Sequence, residues 1–240
     1  MLLGPGIVPY NRPDVSSPVS AILIRIVERC APSALCAWYR DALTATAEEA
    51  RLLAAYAGCG RRLRGLPVRF EPGERDSLVG AGLRSVAAWR LDRIARTGLV
   101  CEIAGRLAEP DATRVVGRLY RTGDNDERIA LLGALPVLAN AECYMHTAVD
   151  SCRTNVVAVF EAIACGNPYP ARYFDDHAFN QMVLKALFLG VPVRSIEGLD
   201  ERGSHELARM AADYAAERRA AGRSVSTDIE LVAALGSNPV

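Results

Sequence analysis

Phe179-Asn180-Gln181-Met182-Val183-Leu184-Lys185-Ala186-Leu187 is the stretch whose reading decides the fold. Its apolar residues Phe179, Met182, Val183, Ala186 and Leu187 recur at i, i+3, i+4, i+7 and i+8. That period winds a single stripe along an α-helix, whereas a strand would divide the same residues between two faces. Asp175 or Asp176 is placed to open the helix and Gly190 to close it. Upstream, Val156, Val159, Phe160 and Ile163 repeat the spacing and predict helix over 142–164, stopped by Gly166-Asn167-Pro168-Tyr169-Pro170. Downstream, Ser204 caps a predicted helix to residue 221, with Leu207, Met210, Ala211 and Tyr214 inward and Gly222 as its stop. Thr227 with Glu230 has the capping-box spacing and opens a last short helix.

The same signals continue toward the N terminus. Asp111 caps a predicted helix over 112–121, and Gly123 closes it. Asp124 or Asn125 caps the next, to about residue 138, so a tight Gly-Asp turn makes the pair an αα-hairpin. Asp126, Arg128, Ala130, Leu131, Leu132 and Leu135 resemble one unit of a HEAT-like repeat, but no clean period runs through the chain. Residues 74–97 and 99–108 read as helices weakly separated at Gly98. Helices are also predicted over 19–29 and 32–56, the second with Pro32 in its first turn and Gly58 and Gly60 at its end. Residues 1–18 hold four prolines and two glycines and read as an extended or disordered arm. Residues 19–240 then form a single α-helical domain, with a subdivision near 60–73, where Glu71-Pro72-Gly73 reads as a turn. The fold class that follows is all-α: a multi-helical bundle of αα-hairpins, with HEAT-like stacking left open.

The totals narrow the function classes. The chain has 240 residues, enough for a sizeable core, and its 28 Lys+Arg are balanced by 28 Asp+Glu. Phosphate-backbone binding needs a basic surface, so nucleic acid is not an expected partner. Arg61, Arg62, Arg64 and Arg69, like Arg218, Arg219 and Arg223, read as solvated faces. No stretch approaches the roughly 18 apolar residues of a membrane span, and the first residues lack a basic leader. A cytoplasmic location is the expectation. The seven cysteines include no C-x-x-C pair and sit mostly among Ala, Val and Leu, which predicts reduced structural thiols. Phosphate-loop, dinucleotide and nucleophile-elbow strings are absent, and no cofactor is expected. Glu142, His146 and Asp150 recur every four residues, with Asp176 and His177 as further ligand types. No H-E-x-x-H motif accompanies them and Arg153 is an unfavourable neighbour, so the expectation is no metal.

Five strings carry a family resemblance. They are Ala148-Val149-Asp150-Ser151-Cys152-Arg153-Thr154-Asn155, Asn167-Pro168-Tyr169-Pro170-Ala171, Phe179-Asn180-Gln181-Met182-Val183-Leu184-Lys185-Ala186, Gly198-Leu199-Asp200-Glu201-Arg202, and the run from Asp213-Tyr214 to Gly222-Arg223. In this order, within roughly residues 124–230, they resemble the EboA family. The resemblance implies a protein of a small bacterial gene cluster that makes or exports a specialised metabolite. Its partners would be that metabolite and the cluster's other proteins, among them a prenyltransferase-like membrane protein and sugar-phosphate-cyclase-like and TIM-barrel-like proteins. It carries over no catalytic residues.

Three polar sets interrupt the apolar helices. Asp150, Arg153, Thr154 and Asn155 read either as a hydrogen-bonding wall for a polar ligand or as an Asp150–Arg153 pair beside an amide bonded to a loop. His177, Gln181 and Lys185 step by four along one helix face with Asn180 beside them, and suit a pocket, an interface or a solvated face. Asp200, Glu201 and Arg202 follow Gly198 and read as a loop over a site or as an acidic first turn. The resulting expectation is a metabolite- or partner-binding helical protein using Asp150, Arg153, Asn155, His177, Asn180, Gln181, Lys185, Asp200 and Arg202. The rival is a metal-independent enzyme on the same polar or prenylated metabolite, with Asp150 or Asp200 as acid/base and Lys185 or Arg153 holding an anion.

Overall fold

The structure is a computed structural model that describes residues 18–44 and 49–235. Fourteen α-helices and no strand form among them. The arm expected over 1–18 lies outside the described residues, apart from Pro18, which opens the first helix. The chain divides into two compact units, Met1–Asp150 and Ser151–Val240. None of the described helices is long and apolar enough to cross a membrane.

In the first unit α1 (Pro18–Cys30), α2 (Ser33–Thr44), α3 (Glu49–Leu63), α4 (Glu74–Ala81), α6 (Glu109–Thr122) and α7 (Asn125–Ala134) accompany a central helix, α5 (Leu91–Arg106). Five of them, α1, α2, α3, α6 and α7, pack on α5, which buries 13 of its 16 residues. A helix apolar all round belongs in a core, yet this one also buries Asp92, Arg96, Thr97 and Glu102. Each of these finds a partner, as buried polar groups must. Asp92 meets Arg96 Nη1 at 2.8 Å, and Arg96 Nε donates to the Tyr56 carbonyl at 3.2 Å. Glu102 accepts from Ser20 at 2.5 Å and pairs with Arg106 at 2.7 Å, and Thr97 donates to the Arg93 carbonyl.

Several expected boundaries move. The helix predicted over 32–56 is two helices, α2 and α3, which lie against each other as no continuous rod can. Gly58 and Gly60 do not end α3. They give its flank close contacts instead: a Cβ at Gly60 would stand 2.6 Å from Arg96 Nη2. Gly98 likewise does not separate two helices. It leaves room for the Tyr39 hydroxyl, which donates to the Ala95 carbonyl at 2.9 Å and would lie 2.5 Å from a Cβ there. The break falls earlier, at Gly82 (φ 119°), where Leu83 N bonds Leu78 O and Gly82 N bonds Val79 O in a Schellman cap. A 3₁₀ turn at Val86–Ala88 then leads into α5. The αα-hairpin of α6 and α7 forms, with Asp124 and Glu127 completing a capping box, but α6 starts at Glu109 rather than after Asp111 and α7 ends at Ala134, where a 3₁₀ turn with Pro136 follows. A single hairpin does not establish HEAT-like stacking.

α8 (Met145–Ser151) ends at the unit boundary, and the helix predicted over 142–164 is interrupted there. The Thr154 hydroxyl accepts from Val156 N at 3.2 Å, a side-chain turn that competes with helix, and α9 (Val157–Ala164) starts after it. The second unit continues with α10 (Tyr169–Tyr173), α11 (Asp176–Leu189), α12 (Leu199–Arg202), α13 (His205–Ala220) and α14 (Thr227–Ala234). α11 packs on α9 and α13, and α13 packs on α14. The stripe Phe179, Met182, Val183, Ala186 and Leu187 is buried, as are Val159, Phe160 and Ile163, whereas Met210 and Tyr214 are only half-buried. The cap of α14 is Ser226, one residue before the expected Thr227.

Candidate functional site

In the second unit the polar residues gather on α11 and on the loop between α8 and α9. The Asp175 carboxylate accepts from Ala178 N at 2.7 Å and starts α11, while Gly190 (φ 70°) stops it. With one face of α11 buried, His177, Gln181 and Lys185 share the other at intervals of four. His177 and Gln181 are exposed. Lys185 is half-buried, and its ammonium donates to the Cys152 carbonyl at 2.6 Å and the Thr154 carbonyl at 2.5 Å. It also stands 5.3 Å from the Phe160 ring centroid, within cation–π range. Lys185 therefore clamps the loop 152–156 onto α11. The exposed Arg153 and Asn155 ride on that loop. Gln181 lies about 6 Å along the helix axis from the clamp, and His177 about 12 Å.

The other predicted residues divide. Arg202 is a knot: Nη1 donates to the Pro170, Ala171 and Phe174 carbonyls at 3.1, 3.3 and 2.7 Å, Nη2 meets Asp176 at 2.6 Å, and the guanidinium lies 4.6 Å from the Phe179 centroid. It binds α10 and α12 to the start of α11. Asn180 is buried beside Phe179. Asp200 is exposed on α12 and lines a polar cleft of about 260 Å³ with Arg194, Glu201 and Leu231. Asp150 is exposed at the end of the first unit, on a helix that ends at Ser151. Among the described residues no group of three or more His, Cys, Asp and Glu side chains is placed to hold a metal ion.

Lys185 has a testable structural role. Replacing it with methionine leaves two carbonyls without their charged donor and is expected to cost about 1–3 kcal/mol. Urea unfolding measures the loss, and hydrogen exchange at 152–156 should accelerate while that of α14 holds.

Three of the thiols are poor nucleophiles. Burial pushes Cys59 and Cys101 up to about 12, and it does the same to Cys152 despite the Lys185 ammonium. At that value roughly one thiol in 100,000 is ionised at pH 7. Cys59 and Cys101 are expected to resist iodoacetamide at pH 8 in the native protein and to label fully in guanidinium chloride, as mass spectrometry would read.

The sequence reading passed over the charged lattice of the first unit, formed by Asp92, Arg96, Tyr56 and Glu127. Its one local signal is the spacing of Asp92 and Arg96 by four amid Ile94, Ala95, Leu99 and Val100.

One protein-family model, described as Metabolite traffic protein EboA, matches residues 20–233. No curated protein and no solved structure matches the chain. The match runs well beyond the motif-bearing second half, through α1, the central helix α5 and on into α14. Since it spans both units and most of the sequence, the chain belongs to the EboA family.

Proposed function

We propose that this protein serves metabolite traffic by holding a polar intermediate on the exposed face of α11 and the loop clamped to it. The family's description supports the traffic role. The observation that carries the binding reading is the Lys185 clamp, with its 2.6 and 2.5 Å bonds to the Cys152 and Thr154 carbonyls. It fixes a loop bearing a guanidinium and an amide beside a helix bearing an imidazole and an amide. Arg153, Asn155, His177 and Gln181 offer donors and acceptors suited to a hydroxylated or anionic small molecule. Asn180 and Arg202 position that face, the first from within the core and the second by tying down the start of α11. Asp150 and Asp200 lie outside this minimal set.

The test is capture from a small-molecule extract of the native host, read by mass spectrometry. The doubly substituted Asn155→Ala/Gln181→Ala protein should retain at least about tenfold less of the compound that wild type retains. Equal retention by a folded double variant contradicts the assignment.

Phe188 favours a second reading. It is 61 % exposed and packs on Tyr214 with the rings tilted and their centroids 4.2 Å apart, at the far end of α11. An exposed aromatic of this kind suits a partner protein of the same system. Phe188→Ser should weaken co-purification with such a partner while leaving metabolite capture intact. Unchanged co-purification removes this reading.

A further inference from the structure

The charged lattice of the first unit does not balance. Three carboxylates serve the junction of α3, α5 and α7, and each is engaged. Asp92 holds Arg96 at 2.8 Å and Arg90 at 3.1 Å. Asp126 holds Arg90 at 3.3 Å and also Arg64. Glu127 stands 3.8 Å from Arg96 and accepts from Asp124 N in the capping box. A fourth guanidinium, Arg93, joins no ion pair among the described residues, and its Nε is buried without a hydrogen-bond partner.

Arg93 is nonetheless held in a shaped place. Its guanidinium lies 4.2 Å from the Trp89 ring centroid, and Trp89 is fixed by its own Nε1 donating to Ser85 Oγ at 3.0 Å. The backbone of α7 is bare where the guanidinium comes in. A Cβ at Gly133 would collide with Arg93 Nη2 and lie 3.3 Å from the Trp89 ring. Burial draws the Arg93 pKa down to about 10, which leaves the group cationic at neutral pH. Arg93 is half-buried with its Nε sealed from water, and a partly desolvated cation that joins no ion pair is unfavourable. Here the fold supplies a ring, a glycine and a helix pair to keep it.

We infer that Arg93 is an oxyanion-binding residue, receiving the carboxylate or phosphate group of a small molecule on the solvent-facing side of its guanidinium, with Trp89 bracing it from beneath. The planar fork of arginine matches both groups, and a single negative charge completes the local balance. This site lies wholly in the first unit and does not depend on the α11 face.

The full chain in a Trp38→Phe background reports through Trp89 alone. Titration with inorganic phosphate and, separately, with acetate, against sodium chloride at matched ionic strength, should give a saturable fluorescence change with at least one of the two anions. A response to phosphate alone assigns a phosphate group, and a response to acetate alone assigns a carboxylate. Arg93→Met should abolish saturation and unfold at the same temperature as the parent or higher. Arg93→Lys keeps the charge without the fork and should bind about tenfold more weakly. Gly133→Ala, which displaces the guanidinium, should weaken binding comparably. If neither anion differs from chloride, or if Arg93→Met or Arg93→Lys binds like the parent, the inference is overturned.

Discussion

Asp92→Ala is expected to lower the stability of the protein by about 3–5 kcal/mol, the cost of leaving a buried charge without its partner. The charge left behind is Arg96, 1 % exposed, whose remaining carboxylate, Glu127, stands at 3.8 Å. The loss should appear as a lower urea midpoint. Asp92→Leu combined with Arg96→Met should recover most of it, because an apolar pair of similar volume needs no compensation. If Asp92→Ala costs less than about 1 kcal/mol, the range of an exposed ion pair, the lattice is not a buried one.

Arg202→Ala is the second large effect, expected at about 2–4 kcal/mol because it strips charge-assisted bonds from three carbonyls at once. Those carbonyls, of Pro170, Ala171 and Phe174, set the path from α10 into α11. Hydrogen exchange should therefore accelerate over 169–178 before it does so in α13. Arg202→Lys should restore only part of the loss, since one ammonium cannot span both the carbonyl cluster and Asp176 as the fork does. Equal stability of wild type and Arg202→Ala would reduce the knot to a surface contact.

α11, α13 and α14 were legible because each keeps a wet side, whereas α10 forms over Tyr169-Pro170, which read as a helix stop. Phe179, Met182, Val183, Ala186 and Leu187 stand out against Gln181 and Lys185, and the period is plain. α5 was not legible in this way. It is buried all round, so no single apolar stripe sets off Asp92 and Arg96, which lie in the core. Glycine was the ambiguous letter. Gly82, Gly190 and Gly222 take positive φ and end helices, whereas Gly60 and Gly98 sit inside helices to admit Arg96 and Tyr39. Nothing in the local sequence separates the two uses, because the difference lies in which distant side chain arrives.

The candidate face was half legible. The spacing of His177, Gln181 and Lys185 placed them together, but the loop at 152–156 read as helix because it holds neither proline nor glycine. What bends the chain there is the Thr154 hydroxyl on Val156 N and an ammonium arriving from 31 residues away. Arg93 gave no sequence signal, since its character depends on Trp89 and Gly133 together and on carboxylates already engaged elsewhere.

Hydrogen exchange of the backbone amides, with and without the small-molecule fraction of the native host, tests the recognition face most directly. Exchange should slow at 152–156 and along 177–185 when that fraction is present, and should not slow there in the Asn155→Ala/Gln181→Ala protein. Unchanged exchange in both segments of the wild-type protein, with protection arising only elsewhere, would contradict the assignment of that face.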